Sequence, residues 1–410
     1  MKKILFAFLA AAMLFSLAAC NSEVKQTQTT AATTTTVAEE EPSNTPKTVS
    51  LRIAGSDVSE YTIVYARAEY FREGAESFTT EWDFYKLIAK EIADKIFALT
   101  GVSLPVIQDT RAQESAKEIL VGPTNRGLSG VYDEMDVYSY QNTVKDGKLV
   151  LGGGYNSSSL NDELKTSYSW GATYHAFDSI EEHVKAKMNE GISEVDLAEG
   201  FEQKGEVELI TVACVGDSIT EGDGCTDWNY CSYPSVLQRV LWKDYVIVNY
   251  GKCGKTMRND LSRSYTSTDA YRAAQKQKDL FDAVVIMLGT NDGGVDKEEF
   301  TADEDKLFND CAMNLVSALT PADKDVKIAI LNCTAYYGKN PGTRDHVRDL
   351  QEALVPKLIE KGYDTTFVDT EKYTADNLGK SHFPDGIHPD DSGYAMLGEY
   401  ISGVVVQMFQ

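Results

Sequence analysis

Four short stretches of this 410-residue chain hold side chains that could do chemistry together. Gly216-Asp217-Ser218-Ile219-Thr220 offers a hydroxyl, and Asn249-Tyr250-Gly251-Lys252-Cys253-Gly254-Lys255-Thr256 offers backbone N–H groups at a glycine. Leu288-Gly289-Thr290-Asn291-Asp292 offers a neutral side-chain amide, and Asp385-Gly386-Ile387-His388-Pro389 sets a carboxylate three residues ahead of an imidazole. A serine hydroxyl attacks well only when a neighbouring base takes its proton, which assigns attack to Ser218 and base-then-acid duty to His388. Asp385 would then hold the imidazole in the useful tautomer. An oxyanion needs donors already in place, and the candidates are the backbone N–H groups of Ser218 and Gly254 and the amide of Asn291. The set fits acyl transfer.

The elements that must position these residues are strands and helices in alternation. Runs rich in Val and Ile at Leu209 to Val215, Val246 to Asn249, Ala283 to Gly289, Val326 to Cys333 and Thr366 to Asp369 read as strands buried on both faces, hence a parallel sheet. Helical stretches lie near Pro234 to Trp242, Thr268 to Lys278, Asp305 to Leu319, Arg344 to Lys361 and Asp391 to Met408. The first three polar clusters follow the first three strands, at the carboxyl ends where such sheets bind ligands.

In these blocks and their order, residues 206–410 resemble the SGNH (GDSL-type) hydrolase superfamily. The resemblance places the family's serine at Ser218, its glycine at Gly254, its asparagine at Asn291 and its histidine at His388, with Asp385 in a D-x-x-H pattern. It implies a three-layer α/β/α, flavodoxin-like catalytic domain working as an esterase without a cofactor. Ile219 stands where the older motif name has leucine. No G-x-S-x-G surrounds Ser218, so the α/β-hydrolase elbow is not supported.

Aromatic residues near the expected rim, Trp228, Tyr230, Tyr336 and Tyr337, suit the faces of sugar rings and are candidate substrate contacts. Asp217, Asp223 and Asp292 have no histidine ligands beside them and read as turn residues. No Cys-x-x-Cys or paired-histidine spacing points to a metal. His382 reads as an exposed loop residue and His346 as a solvent-facing one at a helix start. Among the seven cysteines, Cys214, Cys311 and Cys333 read as small buried residues. Cys225 and Cys231 bracket a short polar loop and Cys253 adjoins Gly254, and a bridge among these three, Cys225–Cys231 first, would stiffen the rim in an oxidising exterior.

Lys2 and Lys3, the apolar run Ile4 to Leu17 and Leu17-Ala18-Ala19-Cys20 resemble a bacterial lipoprotein signal. That resemblance implies cleavage after residue 19, acylation of Cys20 and export to the outer face of the cell membrane. Residues 20–50 are rich in Thr, Ala and Glu and read as a disordered tether, with a reach of roughly 30 Å for thirty flexible residues. Residues 51–205 alternate strand signals (Tyr61 to Tyr65, Leu104 to Ile107, Glu118 to Val121, Lys148 to Leu151) with helices at Trp82 to Ala98 and Tyr168 to Lys187. Over about 80–188 they resemble the non-catalytic α/β accessory domain that precedes catalytic domains in several glycoside hydrolases. His175 and His183 read as ordinary helix residues.

The net charge of -24, from 39 Lys plus Arg against 63 Asp plus Glu, disfavours nucleic acid as a partner. Export, a tether and the accessory region favour an acylated saccharide as substrate, with acetyl the expected group and the lipid anchor the only membrane contact. Two other readings stay open: a lipid or lysophospholipid acyl hydrolase of the same fold, and a glycan-binding lipoprotein with an idle triad. The oligomeric state is not legible.

Overall fold

The computed structural model describes residues 48–67, 84–160, 162–293, 300–338 and 342–410. The expected signal segment, Cys20, nearly all of the tether and Trp82 lie outside them. Folded chain is entered at Val49, which is buried and donates its N–H to Leu99 O at 2.9 Å.

Among the described residues the first half contributes nine strands: β1 (Ser50–Ile53), β2 (Ser56–Asp57), β3 (Thr62–Tyr65), β4 (Val106–Gln108), β5 (Glu118–Val121), β6 (Ser139–Lys145), β7 (Lys148–Gly153), β8 (Glu194–Leu197) and β9 (Glu202–Glu206). Six form a mixed sheet in the order β4-β3-β5-β7-β6-β9, and β2-β1-β8 form a small second sheet. Helix α1 (Phe84–Thr100) buries Tyr85, Ile88, Ala89, Ile92 and Ile96, the spacing expected of one apolar face.

Helix α2 (Asp162–Asn189) runs longer than its sequence pattern suggests, for a physical reason. Trp170, Tyr174, Phe177 and Ile180 pack into the core of the first half, whereas Tyr168 and Ala172 pack against Leu209 and Val248 of the second. A helix that serves two cores is apolar on two sides, so its periodicity is blurred. The Tyr168 and Thr211 hydroxyls are hydrogen-bonded across the same junction.

In the second half β10 (Ile210–Gly216), β11 (Tyr245–Gly251), β12 (Ala283–Met287), β13 (Lys327–Leu331) and β14 (Thr365–Val368) form an all-parallel sheet in the order β11-β10-β12-β13-β14. Alternate strand residues face opposite layers. Val212, Cys214, Val285 and Leu331 meet Tyr233 and Leu237 of α5 and Leu397, Ile401 and Val405 of α10. Ala213, Val215, Val284 and Ile328 meet Phe308 and Leu315 of α7 and Val347 and Leu354 of α8. The helices here are α3 (Ser218–Glu221), α4 (Trp228–Cys231), α5 (Tyr233–Leu241), α6 (Asp269–Gln277), α7 (Ala302–Leu319), α8 (Arg344–Glu360), α9 (Thr370–Asn377) and α10 (Asp391–Met408). This is the expected three-layer α/β/α sheet, preceded by a smaller α/β region. No helix of the described residues is long and apolar enough to cross a membrane.

Candidate active site

Strand order reverses at β10, which lies between β11 and β12, and ligands of such sheets sit in the crevice outside that point. Gly216 pairs with Gly251 on one side and Met287 on the other, so the three following loops leave the sheet together. Asp217 then caps α3, its Oδ1 accepting the Ile219 N–H at 3.1 Å. That cap fixes Ser218 at the head of a one-turn helix, and Ser218 is buried.

Ser218 Oγ lies 2.8 Å from His388 Nε2, and His388 Nδ1 lies 2.6 Å from Asp385 Oδ2. The other oxygen, Asp385 Oδ1, accepts the backbone N–H groups of Ile387 and His388, both at 2.8 Å. Burial would raise the Asp385 carboxyl, but the His388 N–H, the imidazole and the Ile387 N–H outweigh it and hold the group below the usual carboxylate range. An ionised carboxylate only accepts, so Nδ1 carries the imidazole proton and Nε2 is left to accept from the serine hydroxyl. Three residues from two distant segments thus form one directed hydrogen-bond chain.

Gly254 sits in the left-handed region at φ +71°, which a side chain would disfavour, and so turns the loop after β11. Asn291 Nδ2 donates to Lys255 O at 2.9 Å. That bond uses one of two amide hydrogens and orients the second. Beside it Asp292 is buried, and its two oxygens accept the N–H groups of Met257 at 2.8 Å and Arg258 at 3.0 Å. Sequence alone made Asp217 and Asp292 turn residues. The structure instead makes one a buried cap and the other a buried clamp between the loops after β12 and β11. Burial pushes both carboxyls up to about 6, against the pull of the N–H groups they accept.

The candidate substrate aromatics fare differently from one another. Trp228 opens α4 and is 41% exposed. The Tyr230 ring lies 4.7 Å from the Arg239 guanidinium of α5, and the Tyr336 ring 4.0 Å from that of Arg344. Tyr337 is turned into a small apolar cluster with Ala335, Leu378 and Phe383. Its hydroxyl donates to Leu378 O at 3.0 Å and its N–H to Gly386 O at 2.8 Å. That placement makes Tyr337 a support of the loop between Asp385 and His388 rather than an open sugar platform, because its ring packs 5.1 Å from buried Phe383.

Other expectations are also revised. His382 is tied through Nδ1 to Ser392 Oγ at 2.9 Å and Asp390 Oδ1 at 3.2 Å, beside the start of α10. His346 Nε2 meets Asp305 Oδ1 at 2.7 Å instead of facing solvent alone. Cys225 and Cys231 are free thiols, so the expected bridge is not formed. Cys253 Sγ lies 3.4 Å from Asp223 Oδ2, which is itself 3.8 Å from His388 Nε2. Asp223 thus stands beside the imidazole, a placement its loop sequence does not signal.

The sequence profile of the GDSL-like Lipase/Acylhydrolase family matches residues 214–396, the span holding all four blocks. The chain is 28% identical over 211 residues to an acetylxylan esterase from Xylanibacter ruminicola, which covers 48% of this chain and 43% of that protein. The chain therefore spans less than half the length of that relative. Among solved structures it is similar to Est24, a carbohydrate acetylesterase from Sinorhizobium meliloti, at 18% identity and a TM-score of 0.37, covering 48% of this chain and 99% of that one. It is also similar to a putative GDSL-like lipase from Bacteroides ovatus, at 16% identity and a TM-score of 0.38, covering 51% and 57%. The profile match spans the nucleophile loop, the β12 loop and the histidine loop, so over residues 214–396 the chain is similar to the GDSL-like lipase/acylhydrolase family.

Proposed function

We propose that the protein is an exported serine esterase that removes short acyl groups, acetyl foremost, from carbohydrate. The observation that carries this reading is the chain Asp385–His388–Ser218, with contacts of 2.6 and 2.8 Å. Ser218 Oγ attacks the ester carbonyl carbon while its proton passes to His388 Nε2. The resulting oxyanion accepts hydrogen bonds from the N–H groups of Ser218 and Gly254 and from the second N–H of Asn291 Nδ2. The C–O bond to the sugar then breaks, and the leaving oxygen takes the proton from Nε2. Water, deprotonated by the same nitrogen, releases the acyl group from Ser218. Asp385 stays ionised and stabilises the imidazolium that forms at each step.

The relative named for acetylated xylan supports a saccharide ester as substrate. The lipoprotein-type start supports action outside the cell, with Cys20 as the lipid anchor and residues 51–205 as a non-catalytic accessory domain. Hydrolysis of short- and long-chain p-nitrophenyl esters, measured beside acetate release from acetylated xylan, tests the reading. Expected are a preference for acetyl, activity on the glycan and loss of both in Ser218→Ala. Preference for long chains without acetate release would overturn it in favour of lipid, and no turnover of any ester would favour an idle triad. Metabolic labelling with a fatty acid, lost in Cys20→Ser, tests the anchor.

A further inference from the structure

The segment after the nucleophile helix and the first turn of α10 meet at three side chains. Two sulfurs, those of Cys225 and Cys231, and a carboxylate oxygen of Asp391 all lie within 4.8 Å of one another. Cys231 is buried and Cys225 half-buried, and Asp391 is the most open of the three.

The carboxylate and the buried sulfur are already held in place. Asp391 Oδ1 accepts the Thr226 N–H at 2.8 Å, and Oδ2 accepts the Thr226 hydroxyl at 2.7 Å. Cys231 Sγ accepts the Asp227 N–H at 3.3 Å. We propose that Cys225, Cys231 and Asp391 bind a thiophilic divalent cation of the zinc class. Zinc bonds of about 2.3 Å to sulfur and about 2.0–2.2 Å to oxygen put tetrahedral ligand atoms roughly 3.3–3.8 Å apart. Ligand atoms within 4.8 Å of one another have to draw together by at most about 1.5 Å to reach that geometry. Water would supply the fourth ligand.

A metal is ligated by the carboxylate and by the deprotonated sulfurs. Binding forms two S–metal bonds and one O–metal bond and releases the thiol protons to solvent; no oxidant is needed.

The site would act as a staple and take no part in bond breaking. It joins the loop carrying Asp223 and Gly224 to the helix that starts three residues after His388. A Cβ built on Gly224 would lie 2.7 Å from His388 Cβ, so the stapled loop backs directly onto the imidazole. Cation binding and a Cys225–Cys231 disulfide exclude each other, because the bridge consumes both sulfur ligands.

The test is a cadmium titration of the purified full chain in a non-thiol reductant, followed by thiolate-to-metal charge-transfer absorption and by Tm. The expected result is saturation at a single equivalent with a rise in Tm of several degrees. Cys225→Ser abolishes both signals, Asp391→Asn weakens binding about tenfold or more, and Cys253→Ser, outside the cluster, leaves both intact. Cys225 and Asp391 are not core residues, so these variants remain informative if Cys231→Ser fails to fold. The proposal is overturned if the wild type shows no charge-transfer band, or if the band survives in Cys225→Ser. It is equally overturned if mass spectrometry of protein isolated without reductant finds Cys225 and Cys231 disulfide-bonded.

Discussion

Asp292 Oδ2 accepts the backbone N–H of Met257 at 2.8 Å, which ties the loop after β12 to the loop after β11. The same carboxylate takes the Arg258 N–H at 3.0 Å, and Asn291 next to it holds Lys255 O. Two consecutive residues thus fix the backbone just beyond Gly254, and with it the spacing between two of the candidate oxyanion donors.

Removing that clamp should therefore damage both stability and turnover. Asp292→Ala leaves two buried N–H groups without their acceptor, at a cost of about 1–3 kcal/mol each. If the loop also shifts Gly254, kcat falls about tenfold or more with KM little changed, while a fluorophosphonate still labels Ser218. Urea unfolding and steady-state kinetics check the two effects separately. A stability loss with unchanged kcat would limit Asp292 to a structural role.

The raised carboxyls of Asp217 and Asp292, both at about 6, give a stability dependence opposite to ordinary acid denaturation. Their folded values lie above the unfolded value near 3.9. Between about pH 4 and 6 the folded state therefore binds more protons, and these two groups make the protein less stable as pH rises through that window. Each contributes a change of at most about 1.4 kcal/mol per pH unit. Asp217→Asn removes one titrating group, so the stability of the wild type relative to this variant should fall as pH goes from 4 to 6 and level off above it. Denaturant midpoints of the two proteins across that range provide the check; a constant difference would mean that Asp217 does not titrate there.

How much of this was readable in advance follows from where each signal resides. Parallel strands buried on both faces show as continuous apolar runs, and their ends coincide with the polar clusters, so the sheet and the places of Ser218, Gly254, Asn291 and His388 were legible. Strands β6, β8 and β9 were not, because SYQNTVK, EVDL and EQKGE mix polar residues through edge or near-edge positions. Asp292 carried no sign of its clamp, since a carboxylate after a strand reads as a turn until the partner loop is placed. Tyr337 faces inward because Phe383 and Leu378, far along the chain, provide the cluster it completes. The Cys225–Cys231–Asp391 group was hidden for the same reason: no local spacing joins the last residue to the first two.

Asn291 should separate an electrostatic role from a positional one. Asn291→Ala removes the amide that would donate to the oxyanion and should lower kcat by about 10²–10³. The same change frees Lys255 O, a loss near 1 kcal/mol for one hydrogen bond. Asn291→Asp keeps the size, removes both amide hydrogens and adds negative charge where the oxyanion would form. It should be at least as inactive as the alanine variant. Activity within threefold of wild type in either variant would remove Asn291 from the oxyanion set.

Asp385 can be told apart from its neighbours near His388 by substitution. Asp385 Oδ2 is the group 2.6 Å from Nδ1, and its Oδ1 also fixes the Ile387 and His388 N–H groups. Asp385→Asn can present an N–H to Nδ1, which favours the tautomer with the proton on Nε2 and blocks acceptance from Ser218. The expected loss in kcat is about 10²–10⁴-fold with KM nearly unchanged, the pattern of a group acting in the transition state. Asp390 is the control, because its Oδ1 caps α10 through the Gly393 N–H at 2.8 Å. An asparagine there still caps a helix, so Asp390→Asn should stay close to wild type in kcat and Tm. Steady-state kinetics of the two variants on one acetyl ester decide the matter: an active Asp385→Asn beside an inactive Asp390→Asn would transfer the orienting role away from Asp385 while leaving Ser218 and His388 as a pair.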